Sequence, residues 1–186
     1  MILPVYLYGH PVLREEAKEI SADYPALKEL VANMFDTMYH AEGVGLAAPQ
    51  IGLSLRLIVL DGETLSGDFK ECKNFKRVLV NPVIEEYSDE EIWLEEGCLS
   101  LPGIHEKVPR AAWIRITYAD ENGLRHDERI QGFAARIVQH ECEHLNGGVF
   151  IDNISPIRRQ LNKGKLNNII KGTILCDYKT KAAGKK

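Results

Sequence analysis

The five residues His140-Glu141-Cys142-Glu143-His144 carry the clearest chemical signal in the chain. Residues four apart share one face of a helix, so both imidazoles can bind a single metal ion. Glu141, one step after the first histidine, can then act as general base toward water activated by that metal. A catalytic metal of this type takes a third protein ligand and keeps one position open. The two usual peptidase solutions fail downstream. Gly147 fits one of the spacings, but Phe150 stands where a third histidine would fall, and Glu143 is the last glutamate of the chain. Asp152, Cys176 and Asp177 remain as downstream candidates, and an upstream ligand is favoured. Cys98 offers one, in Glu95-Glu96-Gly97-Cys98-Leu99-Ser100-Leu101-Pro102-Gly103. Gly97 allows close backbone approach, and Pro102-Gly103 fixes a turn that presents the Leu99 N–H beside the thiol. A buried strand cysteine is the competing reading.

These residues need elements to hold them. Leu27, Leu30, Val31, Met34, Phe35 and Met38 recur at three- and four-residue steps, which predicts a helix over 25–41. The Gly- and Pro-broken stretch 43–52 is neither helix nor strand throughout. A strand is expected over 55–60, an exposed loop over 62–77, and short strands over 78–81 and 84–87 on either side of Pro82. Residues 113–130 read as a hairpin turning at Asp120-Glu121-Asn122-Gly123. The histidine-bearing helix should span 133–145 and stop at Gly147-Gly148. Ser155 and Pro156 open a third helix running to about Asn168. Elements come in blocks rather than alternating, so the class is α+β. Trp93 and Trp113 are expected in the core, and Cys142, some 200° around the helix from His140, is assigned to packing.

A chain of 186 residues fits one domain, and 45% apolar with 27% charged residues excludes a largely disordered or low-complexity protein. No run approaches the ~20 apolar residues of a membrane span, and Met1–Val12 lacks the pattern of a signal peptide. The reading is therefore a cytoplasmic protein without disulfides, in which cysteines serve as ligands or core thiols. The net charge of −4 is unevenly spread. From Pro156 onward there are nine Lys/Arg and one acid, whereas the preceding 155 residues carry 14 basic and 26 acidic side chains. Residues 1–155 are expected to form a single catalytic domain and 156–186 a basic helix and tail. Such a tail serves either solubility or contact with nucleic acid or the ribosome.

Three segments, Gly43–Gly52 (GVGLAAPQIG), Glu96–Pro102 (EGCLSLP) and Gln139–Gly147 (QHECEHLNG), resemble the three motifs of the peptide deformylase family in order and approximate spacing. The resemblance extends over residues 1 to about 160. It implies a metallohydrolase that removes the N-formyl group from the initiator methionine of newly made chains, a step of protein biosynthesis and N-terminal processing that releases formate. It also implies antiparallel sheets around a central helix bearing both histidines. Carried over, Cys98, His140 and His144 are the metal ligands and Glu141 the acid/base. Gln50 and the Leu99 N–H stabilise the oxyanion, and Gly45 offers backbone hydrogen bonds to substrate. Val44, Phe133 and Ile137 are the natural walls of a methionine pocket, and Arg136 lies on the same face. One thiolate and two imidazoles accept zinc, iron, cobalt or nickel; the resemblance implies Fe2+, with Zn2+, Ni2+ or Co2+ possible after purification. Two positions depart from the family pattern: Glu143 where Asp is usual, and His105 where many members carry Arg. A peptidase and a non-enzymatic metal-stapled module are the competing functions. The first lacks its downstream ligand and the second gives Glu141 and Gln50 no purpose.

Overall fold

Strand Leu57–Asp61 is apolar along nearly its whole length because it is covered on both faces. Leu57 and Val59 point to one layer, Ile58 and Leu60 to the other, as the two-residue period of a strand requires. A computed structural model of the chain describes residues 1–21 and 23–184. In it this strand, β3, lies inside an antiparallel five-stranded sheet. The sheet order is β2 (Gly45–Ala47), β3, β4 (Lys76–Tyr87), β7 (Trp113–Ala119) and β8 (Arg125–Gln131). Helix α1 (Leu27–His40) covers one face, with Val31, Met34 and Met38 packed against Leu57, Val59 and Val78. Helix α2 (Gly132–Leu145) covers the other, where Ala135, Val138 and Leu145 meet Ile58, Leu79, Ile114 and Ile116. Strands β5 (Glu91–Glu96) and β6 (Glu106–Ala111) form a separate antiparallel ribbon. Helix α2 is thus enclosed, and eleven of its 14 residues are buried. The result is the α+β arrangement of antiparallel sheets around the histidine-bearing helix.

Helix α3 (Pro156–Lys171) starts where its sequence says it should: the Ser155 hydroxyl accepts from the Arg158 N–H at 3.3 Å. Its Leu166 and Ile169 enter a second core with Leu7, Leu101, Ile104 and Phe150. Fully burying each such side chain is worth roughly 1.5–3 kcal/mol. Strand β9 (Thr180–Lys181) then pairs with β1 (Val5–Tyr6) in the molecule's one parallel ladder among the described residues. The basic C-terminal segment is therefore packed onto the rest of the chain rather than trailing from it. Lys185 and Lys186 lie outside the described residues.

Several local expectations are corrected. Residues 76–87 form one strand rather than two. Asn81 takes a positive φ of 52° and the register with β7 shifts between Val80 and Val83, so the bulge accommodates Pro82, which has no N–H for a ladder. The stretch 62–77 is not simply an exposed loop, since Cys72 and Phe75 are buried. Trp93 is 60% exposed rather than in the core, because β5 belongs to a two-stranded ribbon with one face toward solvent. Trp113 is half-buried beneath the Arg129 guanidinium, 3.8 Å from the ring centroid.

Candidate metal centre and active site

The N-terminus of helix α2 is anchored by the otherwise unmarked stretch 62–77. The Phe133 N–H donates to Glu71 Oε1 at 2.7 Å, placing a carboxylate at the positive end of the helix. The Phe133 ring stacks on Phe69 with centroids 4.2 Å apart. Two turns on, His140 and His144 stand on one face with ring centroids 5.2 Å apart. The Sγ of Cys98 lies 3.3 Å from His144 Nε2. One ligand atom from each of Cys98, His140 and His144 falls within 4.8 Å of the other two, whereas Asp152 is committed to an ion pair with Arg14. Among the described residues this is the one cluster suited to a metal. Thiolate with two imidazoles matches a three-ligand catalytic site with an open position. Glu141 Oε2, beside it, is buried with no hydrogen-bond partner among the described residues, as a group that meets a ligand in this cavity would be.

A network of charges orients the first histidine. His140 Nδ1 is 2.8 Å from Glu96 Oε2, which leaves Nε2 free to ligate. Arg110 grips the same carboxylate at 2.9 and 3.0 Å, and Arg136 reaches it at 2.7 Å. Burial opposes the charge on Glu96, but His140 and Arg110 outweigh it and hold the carboxyl well below the usual range. Arg110 also donates to Glu143 at 2.9 Å, and Glu143 accepts from Asn153 at 2.8 Å. The unusual Glu143 therefore ties α2 to β6 and to the turn at Asn153. Neither Glu96 as a hub nor Arg110 was assigned a role from sequence; Arg110 lies on another strand and carries no local signal. Burial pushes Glu141 up to about 7 and the packing residue Cys142 up to about 12.

Glu96, Cys98, His140 and Glu141 border a cavity of about 470 Å³. Gln50, Cys98, Leu99, His140 and Glu141 form its polar end; Val44, Phe133 and Ile137 form an apolar wall, joined by Leu65, which no motif had marked. His144 is buried and does not border it. Gln50 is held by its own loop: Oε1 accepts from the Ala47 N–H at 2.8 Å. Its NH2 is thereby turned toward Cys98 Sγ at 3.5 Å and Ser100 Oγ at 3.3 Å. Gly45 lies so close to Glu141 that a Cβ there would sit 2.5 Å from Oε1, so any side chain would displace the Glu141 carboxylate. Arg136 borders the cavity, and its buried guanidinium is spent on Glu96 and the carbonyls of Val108 and Ile92. His105 also borders the cavity, packed against Gly97.

Residues 2–160 match the family model described as polypeptide deformylase. The peptide deformylase of Christiangramia forsetii is 46% identical, over 96% of this chain and 95% of its own length. That of Flavobacterium johnsoniae is 43% identical, over 100% and 98%. Among solved structures, the peptide deformylase from Thermus thermophilus is similar with a TM-score of 0.81 at 41% identity, covering 91% of this chain and 98% of that one. A Plasmodium falciparum peptide deformylase in complex with inhibitor gives 0.78 at 38% identity, covering 90% and 99%. With sequence, fold and the Cys-His-His cluster in agreement, the chain belongs to the polypeptide deformylase family.

Proposed function

We propose a specific division of labour within this cavity. As a member of its family the chain is a metal-dependent hydrolase that removes the N-formyl group from nascent peptides. The observation that carries the assignment of roles is the clustering of three ligand atoms at the polar end of a cavity bordered by Glu141, with its unpartnered oxygen, and Gln50. Cys98, His140 and His144 would hold the metal, and Fe2+ is the physiological ion we propose, with Zn2+, Ni2+ or Co2+ able to replace it in purified protein. When bound, such an ion supplies Lewis acidity, polarising a carbonyl and lowering the pKa of water to about 7.

The protein's own groups do the rest. Glu141 takes a proton from the attacking water at Oε2 and passes one to the departing amine nitrogen. Its burial keeps the carboxyl near neutrality, which suits both directions of transfer. The Gln50 NH2 and the Leu99 N–H donate to the developing oxyanion. Gly45 presents backbone to the formyl-peptide, and its missing side chain leaves Glu141 room to reach the reacting atoms. Val44, Phe133 and Ile137 enclose the methionine side chain, with the Arg136 stem completing that wall.

The enzyme acts on N-formylmethionyl chains as they are made, in the cytoplasm, and the exposed cations Lys163 and Lys171 on α3 are the proposed contact with the ribosome. Charge reversal at both should reduce ribosome co-sedimentation while preserving the fold; unchanged co-sedimentation overturns that contact. The catalytic roles are tested by formate release from a formyl-methionyl tripeptide with anaerobically prepared, iron-loaded protein. Rapid release that is lost in Glu141→Ala is expected, and no release from verified iron-loaded wild type overturns the reading.

A further inference from the structure

The Cys98–Leu99 loop is held from a distant part of the chain. Tyr178 donates its phenol O–H to the Leu99 carbonyl at 2.7 Å, across 79 residues of sequence. Tyr178 lies beyond residue 160, where the match to the family model ends. It is not loosely placed. The carbonyl of the next residue, Lys179, accepts from the Val5 N–H at 2.8 Å, and that of Lys181 accepts from the Leu7 N–H at 2.9 Å. On the same N-terminal segment, the Tyr8 N–H donates to the Ser100 carbonyl at 2.8 Å. The two chain termini therefore grip the loop together, one at Ser100 and the other at Leu99.

Leu99 sits between two peptide planes, and both are restrained. The Cys98 carbonyl accepts from the Leu101 N–H at 2.9 Å, which orients the plane containing the Leu99 N–H. In a trans peptide N–H and C=O point in opposite directions, so that N–H is turned away from Leu101. The following plane has its carbonyl on Tyr178. An oxyanion donor is effective only when it is oriented before charge develops. We propose that Tyr178 is a positioning residue for deformylation, holding the Leu99 carbonyl so that the Leu99 N–H is pre-aimed at the oxyanion. This inference rests on the role given to Leu99 above.

Tyr178→Phe keeps the ring and removes only the donor. With wild type and variant equally metal-loaded, kcat for formate release should fall about 10-fold with KM within about twofold, because the contact orients a group used mainly in the transition state. Metal content and thermal midpoint should stay near wild type, and amide hydrogen exchange at Leu101, whose N–H is hydrogen-bonded to the Cys98 carbonyl, should accelerate when measured without substrate. A kcat equal to wild type, or a loss that tracks lost metal or lost fold, overturns the proposal. Unchanged exchange at Leu101 does so as well. Failure of the wild type to release formate would instead overturn the functional reading, and the exchange measurement would still decide whether the clamp exists.

Discussion

The two segments that meet at the cavity are built in opposite ways. Gly43–Gly52 is fixed by backbone: Gly45, Leu46 and Ala47 pair with Leu60, Val59 and Ile58 of β3. The Gln50 amide within it is oriented by an N–H three residues away. Glu96–Pro102 leaves the β5–β6 ribbon at Glu96 and has no ladder beyond it. It is held instead by distant groups: Arg110 and Arg136 on Glu96, Tyr8 on Ser100 and Tyr178 on Leu99. A segment fixed by its own ladder should tolerate loss of any one distant partner. One suspended from remote side chains should lose its geometry when a single hub goes.

The largest effect is therefore expected at that hub. Glu96→Ala leaves two buried guanidinium groups without their shared carboxylate and frees the His140 ring. Removing one partner of a buried ion pair costs about 3–5 kcal/mol of stability. Losing the group that orients a ligand costs roughly 10–100-fold in metal affinity. Urea unfolding of the metal-free protein and chelator competition for the metal would read the two losses separately. A variant within about 1 kcal/mol of wild type and with unchanged affinity would break the contrast between the segments, because 3–5 kcal/mol is roughly what loss of a true hub predicts.

The complementary change lies in the ladder-held segment. At Gly45 an added methyl would meet the Glu141 carboxylate at 2.5 Å, while the strand pairing around it stays available. Gly45→Ala should lower kcat about 100-fold by displacing the base. Because β2 does not depend on one side chain, cooperative unfolding should persist with a destabilisation of about 1–3 kcal/mol from overpacking. Steady-state formate release and a melting curve check both halves. Loss of folded protein in Gly45→Ala would show that the ladder-held segment is no more robust than its partner.

The same contrast explains what could be read from the sequence. The Gly43–Gly52 stretch, α2 with its i, i+4 histidines and the 113–130 hairpin are encoded by neighbours, so turn residues and periodicity exposed them. Cys98 stood out by its Gly and Pro flanks, and the family resemblance tied it to the histidines. What stayed hidden is non-local. Glu96 meets Arg110 only because β5 folds back on β6, and Tyr178 meets Leu99 only because β9 pairs with β1. Trp93 is exposed against expectation for a related reason, since burial of a large ring depends on whether its strand joins a covered sheet. The stretch 62–77 looked like loop because its Gly, Ser, Asp and Lys content is that of one. Its contributions, Glu71, Phe69 and Leu65, follow no period.

The smallest expected effect sharpens the comparison, since it touches neither segment directly. Glu71 places its carboxylate on the Phe133 N–H at the start of α2, the element that serves both sides of the cavity. Glu71→Gln keeps an acceptor of similar shape and removes the charge, so it isolates the interaction with the helix dipole, about 0.3–1 kcal/mol. Glu71→Ala also removes the hydrogen bond and should cost about 0.5–2 kcal/mol, as loss of a cap does. For a chain of this length, 1 kcal/mol corresponds to roughly 2–4 °C in Tm, so scanning calorimetry at low salt resolves the pair. Raising the ionic strength should shrink the Gln deficit and leave most of the additional Ala deficit, because salt screens the charge but not the lost bond. Equal deficits for both variants at every salt would mean that the carboxylate acts on α2 through charge alone. A Gln variant indistinguishable from wild type at low salt would assign the whole effect to the hydrogen bond.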